Sequence, residues 1–119
     1  MQGIRKCALD AVYRAQGKGC PPYTVGVAAG GLADETIALS KKQLLRDLSD
    51  KNPDKRLAAL ERRLLADINC LGIGPMGLGG QTTAIAVKCG KQHRHIASYF
   101  VAVSFACWAL RKKTIEVTV

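Results

Sequence analysis

The feature that most constrains this chain is a glycine-rich stretch, GIGPMGLGG, at positions 72–80. Five of its nine residues are glycine, and it stands between a segment with leucines at helical spacing and the β-branched run 84–87. The stretch therefore predicts a helix-to-strand connection whose main chain can adopt positive φ and approach other groups closely. Two interpretations stay open: a tight connection packed under a sheet, or one wall of a polar site bordered by Gln81, Thr82 and Thr83.

The spacing of these glycines argues against a nucleotide-binding loop. A phosphate-binding P-loop requires the pattern GxxxxGK[ST] with a helix after it. Aligned on Thr82, the chain has Pro75 in place of the first glycine and Gln81 in place of the lysine, and a strand is predicted to follow. A dinucleotide-binding loop is excluded as well, because its glycines follow a strand and open a helix.

The residues upstream of the glycine-rich stretch predict a helix, a strand and a second helix. Apolar residues at helical spacing indicate a helix over residues 4–16, which Gly17 ends. Residues 23–29 have the composition of a strand, and a pair of glycines closes it. A second helix is predicted over residues 32–48, because acidic residues lie in its first turn and basic residues later, as the helix dipole favours.

A third helix is predicted between the second helix and the glycine-rich stretch. Asn52 is the expected N-cap and Pro53 the first helical residue, and the helix is expected to end at Gly72. Its buried stripe is expected to consist of Leu57, Leu60, Leu64, Leu65 and Ile68.

Three strands are predicted in the remaining third of the chain. Residues 82–89 form the first, residues 90–92 a turn, residues 95–106 the second strand, and residues 114–119 a last strand at the sheet edge. This order of elements predicts an α+β fold with helices packed on a small, mostly antiparallel sheet.

Length and composition predict a single domain over residues 1–119. The chain is 48% hydrophobic and 23% charged, which are ordinary values for a globular protein. No apolar run approaches the roughly 18 residues of a membrane span, so no membrane association is expected. The first residues alternate between apolar and polar instead of forming the apolar block of a signal peptide, which predicts a cytoplasmic location.

The formal charge of +9 favours anionic partners, but it does not distinguish nucleic acids from acidic metabolites or an acidic subunit. The chain has only six aromatic residues, few for a surface that stacks single-stranded bases. A small basic nucleic-acid-binding module is therefore kept as an alternative function that the composition does not favour. A purely structural association module is the other alternative.

The five cysteines do not form a recognisable pattern by spacing alone. Cys7, Cys20, Cys70, Cys89 and Cys107 make an odd number and contain no CxxC pair, so neither a disulfide framework nor a zinc ribbon is indicated. Cys20 lies on a loop that two following prolines make rigid. Cys7, Cys70 and Cys89 are expected to be small buried or semi-buried residues.

Five short segments give a more specific indication: GCPPY at 19–23, GG at 30–31, LGIGPMGLGGQTT at 71–83, HIAS at 95–98 and CWA at 107–109. In this order and spacing they resemble the second half of the catalytic α subunit of the class I, iron–sulfur fumarase and L-tartrate dehydratase family. The similarity spans nearly the whole chain. It implies a hydro-lyase that adds or removes water across the double bond of a four-carbon dicarboxylate, such as fumarate and malate or tartrate and oxaloacetate.

The resemblance also implies a cofactor and missing parts. The family uses a 4Fe–4S cluster held by three cysteines, with one iron open to substrate, and Cys20 and Cys107 match two of these ligands. The third cysteine belongs to an upstream CQDTG segment, which also supplies an acidic catalytic residue, and this segment is absent from the chain. A β subunit is absent too. The chain is therefore expected to be the C-terminal portion of an α subunit, inactive alone and part of an oligomer.

The remaining site residues are implied by the same resemblance. His95 matches a histidine that contacts substrate or helps to transfer a proton, for which an imidazole pKa near 6.5 is suitable. Gly79, Gly80 and Gln81 are expected to line the substrate site. A zinc site at His93 and His95 is an alternative that would need two further ligands.

Overall fold

A computed structural model describes all 119 residues of the chain. None of its helices is long and apolar enough to cross a lipid bilayer. The expected α+β class is confirmed by three helices and one three-stranded sheet. The helices are α1 (Gln2–Ala15), α2 (Ala33–Gln43) and α3 (Lys55–Asn69), the strands are β1 (Tyr23–Gly31), β2 (Ala84–Arg94) and β3 (Val101–Ala106), and a single 3₁₀ turn covers Pro75–Gly77.

The sheet is mixed, whereas a mostly antiparallel sheet was expected. Its strand order is β2-β1-β3, with β1 parallel to β2 and antiparallel to β3. Val25 in the centre of β1 pairs with Val87 on one side and with Phe105 on the other. The parallel pair arises because the connection between β1 and β2 contains α2 and α3, and a crossover of this length returns the chain to the same end of the sheet.

Helices cover both faces of the sheet. On one face, Val25 and Val27 pack in a core with Leu64 and Ile68 of α3, all less than 2% exposed. On the other face α2 approaches so closely that a Cβ atom on Gly26 would collide with a main-chain carbonyl of α2. The absence of a side chain at this position is therefore what allows α2 to lie on the sheet.

The N-terminus of α3 differs from the expectation. Asp54, not Asn52, is the N-cap, and its carboxylate accepts hydrogen bonds from the N–H groups of Arg56 and Leu57. Pro53 accordingly precedes the cap. Asn52 is used differently, because its side-chain oxygen accepts from the N–H of Asp54 and its amide nitrogen donates to the carbonyl of Cys89 on β2.

Several other boundaries were placed wrongly from the sequence. Helix α2 ends at Gln43 and α3 ends at Asn69, earlier than expected. Strand β2 continues through residues 90–92, where a turn was expected, because these residues still pair with β1 or lie against it. The expected strand at 114–119 is absent: these residues are exposed and form no regular structure, since no strand lies beside them.

Candidate functional site

Three loops meet at the end of the sheet where β1 begins. One contains Cys20 and leads into β1, the second is the glycine-rich stretch that leads into β2, and the third contains Cys107 and follows β3. The N–H of Trp108 donates to the carbonyl of Cys20 at 3.2 Å, and the N–H of Met76 donates to the carbonyl of Pro21 at 2.9 Å. Main-chain hydrogen bonds therefore join both neighbouring loops to the loop of Cys20.

The loop of Cys20 is held in a rare conformation. Cys20 has φ +60°, a left-handed value that residues with a Cβ atom seldom adopt and that is concentrated at functional sites. Tyr23, which is fully buried, fixes the preceding main chain: its hydroxyl donates to the carbonyl of Gln16 at 2.7 Å and accepts from the N–H of Gly19 at 3.0 Å. The tyrosine thus holds the half-buried Cys20 near the start of β1.

The glycine-rich stretch is anchored on the sheet side. The N–H of Gly74 donates to the hydroxyl of buried Thr83 at 3.1 Å, and the N–H of Gly79 donates to the carbonyl of Ile73 at 2.8 Å. Asn69 at the end of α3 accepts from the N–H of Thr83, so the helix end and the loop are tied together. Hydrogen bonds therefore fix the conformation of the glycine-rich stretch, which is not a loose linker.

A close main-chain contact explains why Gly77 of the stretch and Gly17 after α1 are both glycine: a Cβ atom on Gly77 would lie 2.7 Å from the Cα atom of Gly17. A Cβ atom on Gly17 would lie 2.8 Å from the carbonyl oxygen of Met76, closer than real side chains come. Gly17 thus has a second role besides ending α1, one that the sequence reasoning missed. The sequence feature that could have indicated this role is the position of Gly17 three residues before Cys20, on the loop that the two prolines make rigid.

The residues expected to line a substrate site lie on the outer side of this loop. Gly79 and Gly80 have φ of +95° and +128°, and both are exposed, as is Gln81. The N–H groups of Gly80 and Gln81 donate to no group within the chain. They are therefore available to an acceptor outside it.

Cys20 and Cys107 are the two cysteines on the loops that these hydrogen bonds join, and both are half-buried. No group of three or more cysteine, histidine or acidic side chains lies close enough together to hold a metal ion. The donor chemistry fits part of an iron–sulfur site, because two partly accessible thiols stand on loops joined by a hydrogen bond. The loops of Cys20 and Cys107 present two thiols and no third cysteine.

His95 lies at the opposite end of the sheet. It is exposed and directly follows β2, and its Nδ1 accepts from the N–H of Ala97 at 3.1 Å. Arg94 pairs with Gly31 at the end of β1, whereas Ala106 pairs with Thr24 near its start. About seven strand residues separate the two levels, which is about 23 Å at roughly 3.3 Å per residue. Within one chain His95 therefore does not reach the cysteines.

Of the other three cysteines, Cys7 and Cys89 lie on α1 and β2, while Cys70 lies between α3 and the glycine-rich stretch. Cys89 is buried as expected, and burial, together with the nearby charge of Glu61, raises the pKa of its thiol to about 12. Cys7 and Cys70 are exposed, so the expectation that they are buried was wrong. Cys7 lies off the α1 stripe that faces the core, and Cys70 follows the last residue of α3.

The fold and the loops together describe an α+β domain that gathers two accessible thiols and a glycine-rich main chain at one end of its sheet. The family model described as fumarate hydratase (Fumerase) matches residues 1–116 of this chain. The chain therefore belongs to the fumarate hydratase family.

Individual relatives agree with this assignment. The chain is 45% identical over 117 residues to a protein of Geobacillus stearothermophilus named as a class I fumarate hydratase, covering 98% of this chain and 23% of that protein. It is 45% identical over 112 residues to a protein of Methanocaldococcus jannaschii named as an α subunit of L(+)-tartrate dehydratase, covering 94% of this chain and 39% of that one. It is 35% identical over 116 residues to the L(+)-tartrate dehydratase α subunit of Escherichia coli K12, covering 98% of this chain and 38% of that subunit. The chain thus spans well under half the length of these relatives.

Proposed function

We propose that this chain is a component of a hydro-lyase that reversibly adds water to a four-carbon dicarboxylate, of the fumarate and malate or the tartrate and oxaloacetate type. Membership of the fumarate hydratase family and the names of the relatives support this reaction class. The observation that carries the proposal is the meeting of three loops at one end of the sheet. They bring Cys20, Cys107 and the glycine-rich stretch together through main-chain hydrogen bonds.

Cys20 and Cys107 would supply two of the three protein ligands of a 4Fe–4S cluster. When bound, such a cluster supplies a Lewis-acidic iron that polarises a hydroxyl or carboxylate group. The chain's contribution is to hold both thiols in fixed loops, one of them through the buried hydroxyl of Tyr23. The third cysteine would come from the portion of the α subunit that this chain does not contain.

Gly79, Gly80 and Gln81 would bind a carboxylate of the substrate. The N–H groups of Gly80 and Gln81 have no acceptor within the chain, and positive φ at the two glycines lets the main chain approach a ligand without a side chain between them. The amide of Gln81 offers a further donor. His95 would hold or move a proton, and because it lies at the other end of the sheet from Cys20 and Cys107, the rest of its site would come from outside this chain.

A complete enzyme would need more than this chain. The acidic residue and third cysteine of the missing upstream portion, and a β subunit, would complete the site, so the chain alone would be inactive. We also propose a cytoplasmic location for the assembled enzyme, because a reducing compartment keeps all five cysteines as free thiols.

Anaerobic reconstitution with iron and sulfide tests the proposal. The chain is mixed with an N-terminal α-subunit fragment that carries the CQDTG segment, and iron content and visible absorbance are measured per chain. We expect stable cluster only in the mixture, and its loss in Cys20→Ser and Cys107→Ser. Cys7→Ser is the matched control, because Cys7 is exposed and lies on α1, outside the loops that meet at the candidate site.

Two results would contradict the proposal in different ways. Full cluster content in Cys20→Ser or Cys107→Ser would remove these residues from the ligand set. A stable and active enzyme made from this polypeptide alone would show that no missing portion is required.

A further inference from the structure

A main-chain hydrogen bond brings Cys20 and Cys107 close together. The N–H of Trp108 donates to the carbonyl of Cys20 at 3.2 Å. The Cα atom of Cys20 lies about 2.4 Å from its own carbonyl oxygen, and the Cα atom of Cys107 lies about 2.4 Å from the nitrogen of Trp108. For a straight N–H···O bond, these lengths put the two Cα atoms about 5–6 Å apart. This separation lies within the range of about 4.4–6.8 Å that disulfides span.

The main chain of both cysteines is fixed, while their side chains stay accessible. The N–H of Cys20 donates to the carbonyl of Gly17 at 3.2 Å, and the carbonyl of Cys107 accepts from the N–H of Leu110 at 3.1 Å. Both thiols are half-buried, so a small reagent can reach them. Neither cysteine lies within a strand, and Cys20 has φ +60°, so the alternating sides of a pleated sheet do not separate the two side chains.

The other three cysteines lack such a neighbour. Cys7 and Cys89 lie inside the regular elements α1 and β2. Cys70 follows α3, and its N–H donates to the carbonyl of Ala66 in the same helix. Cys20 and Cys107 are therefore the pair of thiols that the fold itself holds together.

We propose that Cys20 and Cys107 form a reversible disulfide in the presence of a small-molecule disulfide such as oxidised glutathione. One cysteine thiolate attacks a sulfur of the oxidant, whose S–S bond breaks and releases one glutathione thiolate. The second cysteine thiolate then attacks the mixed disulfide, forms the bond between the two protein sulfurs and releases the second glutathione. In total, the two cysteines lose two protons and two electrons, and the oxidant gains them as two glutathione molecules.

The disulfide would regulate the candidate site, and this part of the inference rests on the proposed function. Thiolates bind iron, and a sulfur that is already bonded to another sulfur is no longer a thiolate. The disulfide would therefore block the insertion of a cluster until a thiol reduces it. It would also protect both sulfurs from irreversible oxidation to sulfinic and sulfonic acids.

Peptide mapping tests the disulfide without iron or substrate. The folded chain is incubated with oxidised glutathione, remaining thiols are blocked, and tryptic peptides are analysed by mass spectrometry without reduction. Cys20 and Cys107 lie in separate tryptic peptides, 19–41 and 95–111, and neither peptide contains another cysteine. We expect the two peptides to be joined with the loss of two hydrogen atoms, and dithiothreitol to separate them. Joining should need about tenfold less oxidised glutathione than its attachment to exposed Cys7, because the second step is intramolecular.

Matched variants and unfolding show whether the fold causes this pairing. In Cys107→Ser, peptide 19–41 should carry glutathione instead, whereas Cys7→Ser should give the joined peptides as the wild type does. In concentrated urea, the joined peptides should become one product among many, because the loops are no longer held together. The pairing would be overturned by glutathione on both cysteines without joining, by joining to Cys70 instead, or by an equal yield in urea.

Reconstitution with iron, sulfide and the N-terminal α-subunit fragment tests the regulatory part. The oxidised chain should take up no more iron than Cys20→Ser, and dithiothreitol should restore uptake to the level of the reduced chain. Equal uptake by the oxidised and reduced chains would overturn the block and leave the disulfide in place. A chain that forms the disulfide but takes up no iron in either state would contradict the proposed cluster alone.

Discussion

Replacing Tyr23 by phenylalanine is the sharpest test of how this fold holds its candidate site. The side chain is fully buried, and its hydroxyl makes two hydrogen bonds: it donates to the carbonyl of Gln16 at 2.7 Å and accepts from the N–H of Gly19 at 3.0 Å. Phenylalanine keeps the packing of the ring against Phe105, whose centroid lies 5.2 Å away. The substitution therefore removes the hydroxyl and little else.

The expected loss of stability follows from these two bonds. Each contributes about 1 kcal/mol net, and the main-chain groups that lose their partner become partly unsatisfied, which adds to the cost. We expect the free energy of unfolding to fall by about 2–3 kcal/mol, a large share of the roughly 5–15 kcal/mol typical of a domain. For a chain of this size, that corresponds to a decrease in Tm of about 10 °C.

Urea and thermal unfolding followed by circular dichroism measure this loss. Tyr13→Phe is the matched control, because Tyr13 is 61% exposed and its hydroxyl makes no hydrogen bond within the chain, so its Tm should stay within about 1–2 °C of the wild type. The reasoning would be refuted if Tyr23→Phe unfolded within about 0.5 kcal/mol of the wild type with an unchanged m value. In reconstituted enzyme, the same variant should also lose cluster faster, because the loop before Cys20 is released.

Three further predictions follow from the core, the ion pairs and the thiols. Leu64→Ala should lower the free energy of unfolding by about 2–5 kcal/mol in urea titrations, because Leu64 is 0% exposed and its loss leaves a cavity. The hydrogen bond from Arg5 lowers the pKa of Asp67. The stability that this carboxylate contributes is therefore present above its unfolded pKa near 3.9 and is lost as pH falls through the lower folded value. Asp67→Asn should flatten this part of the curve of stability against pH, below about pH 4. Cys89, with its pKa raised to about 12, should stay unlabelled by iodoacetamide at neutral pH while exposed Cys7 is labelled, as read by mass spectrometry.

Each of these predictions has a control in the same chain. Leu78→Ala should change stability by less than about 0.5 kcal/mol, because Leu78 is 88% exposed. Asp47→Asn should change stability by less than about 0.5 kcal/mol at neutral pH, because Asp47 is exposed and makes no ion pair. Cys70, exposed like Cys7, should be labelled too, and a labelled Cys89 in native protein would contradict its burial.

The sequence predicted the elements whose signals are local. Helix α3 has apolar residues at helical spacing, and the structure buries Leu57, Leu60, Leu64 and Ile68 as expected, with Leu65 only partly buried. The errors fall where a non-local contact decides. Alternation at 114–119 suggests a strand, but a strand also needs a neighbour, and none is present.

The same reason limits what could be predicted of the site. Nothing local in the sequence indicates that Cys20 and Cys107 lie on joined loops, because the pairing of β1 with β3 brings them together. The separation of His95 from Cys107, in contrast, is implicit in the sequence prediction, because a strand over residues 95–106 has these two residues at its opposite ends. In the structure β3 begins only at Val101, and His95 directly follows β2 instead.

The mixed sheet is the reason that the three loops meet. Because β2 runs parallel to β1, the glycine-rich stretch enters β2 at the same end at which the loop of Cys20 enters β1. Because β3 runs antiparallel to β1, its last residue reaches that end too, and Cys107 follows it. If β2 ran antiparallel to β1, it would begin at the far end of the sheet, and the glycine-rich stretch would lie away from the loop of Cys20. The departure from the expected topology therefore places the glycine-rich stretch beside the loop of Cys20, and the same topology puts His95 at the other end of the sheet.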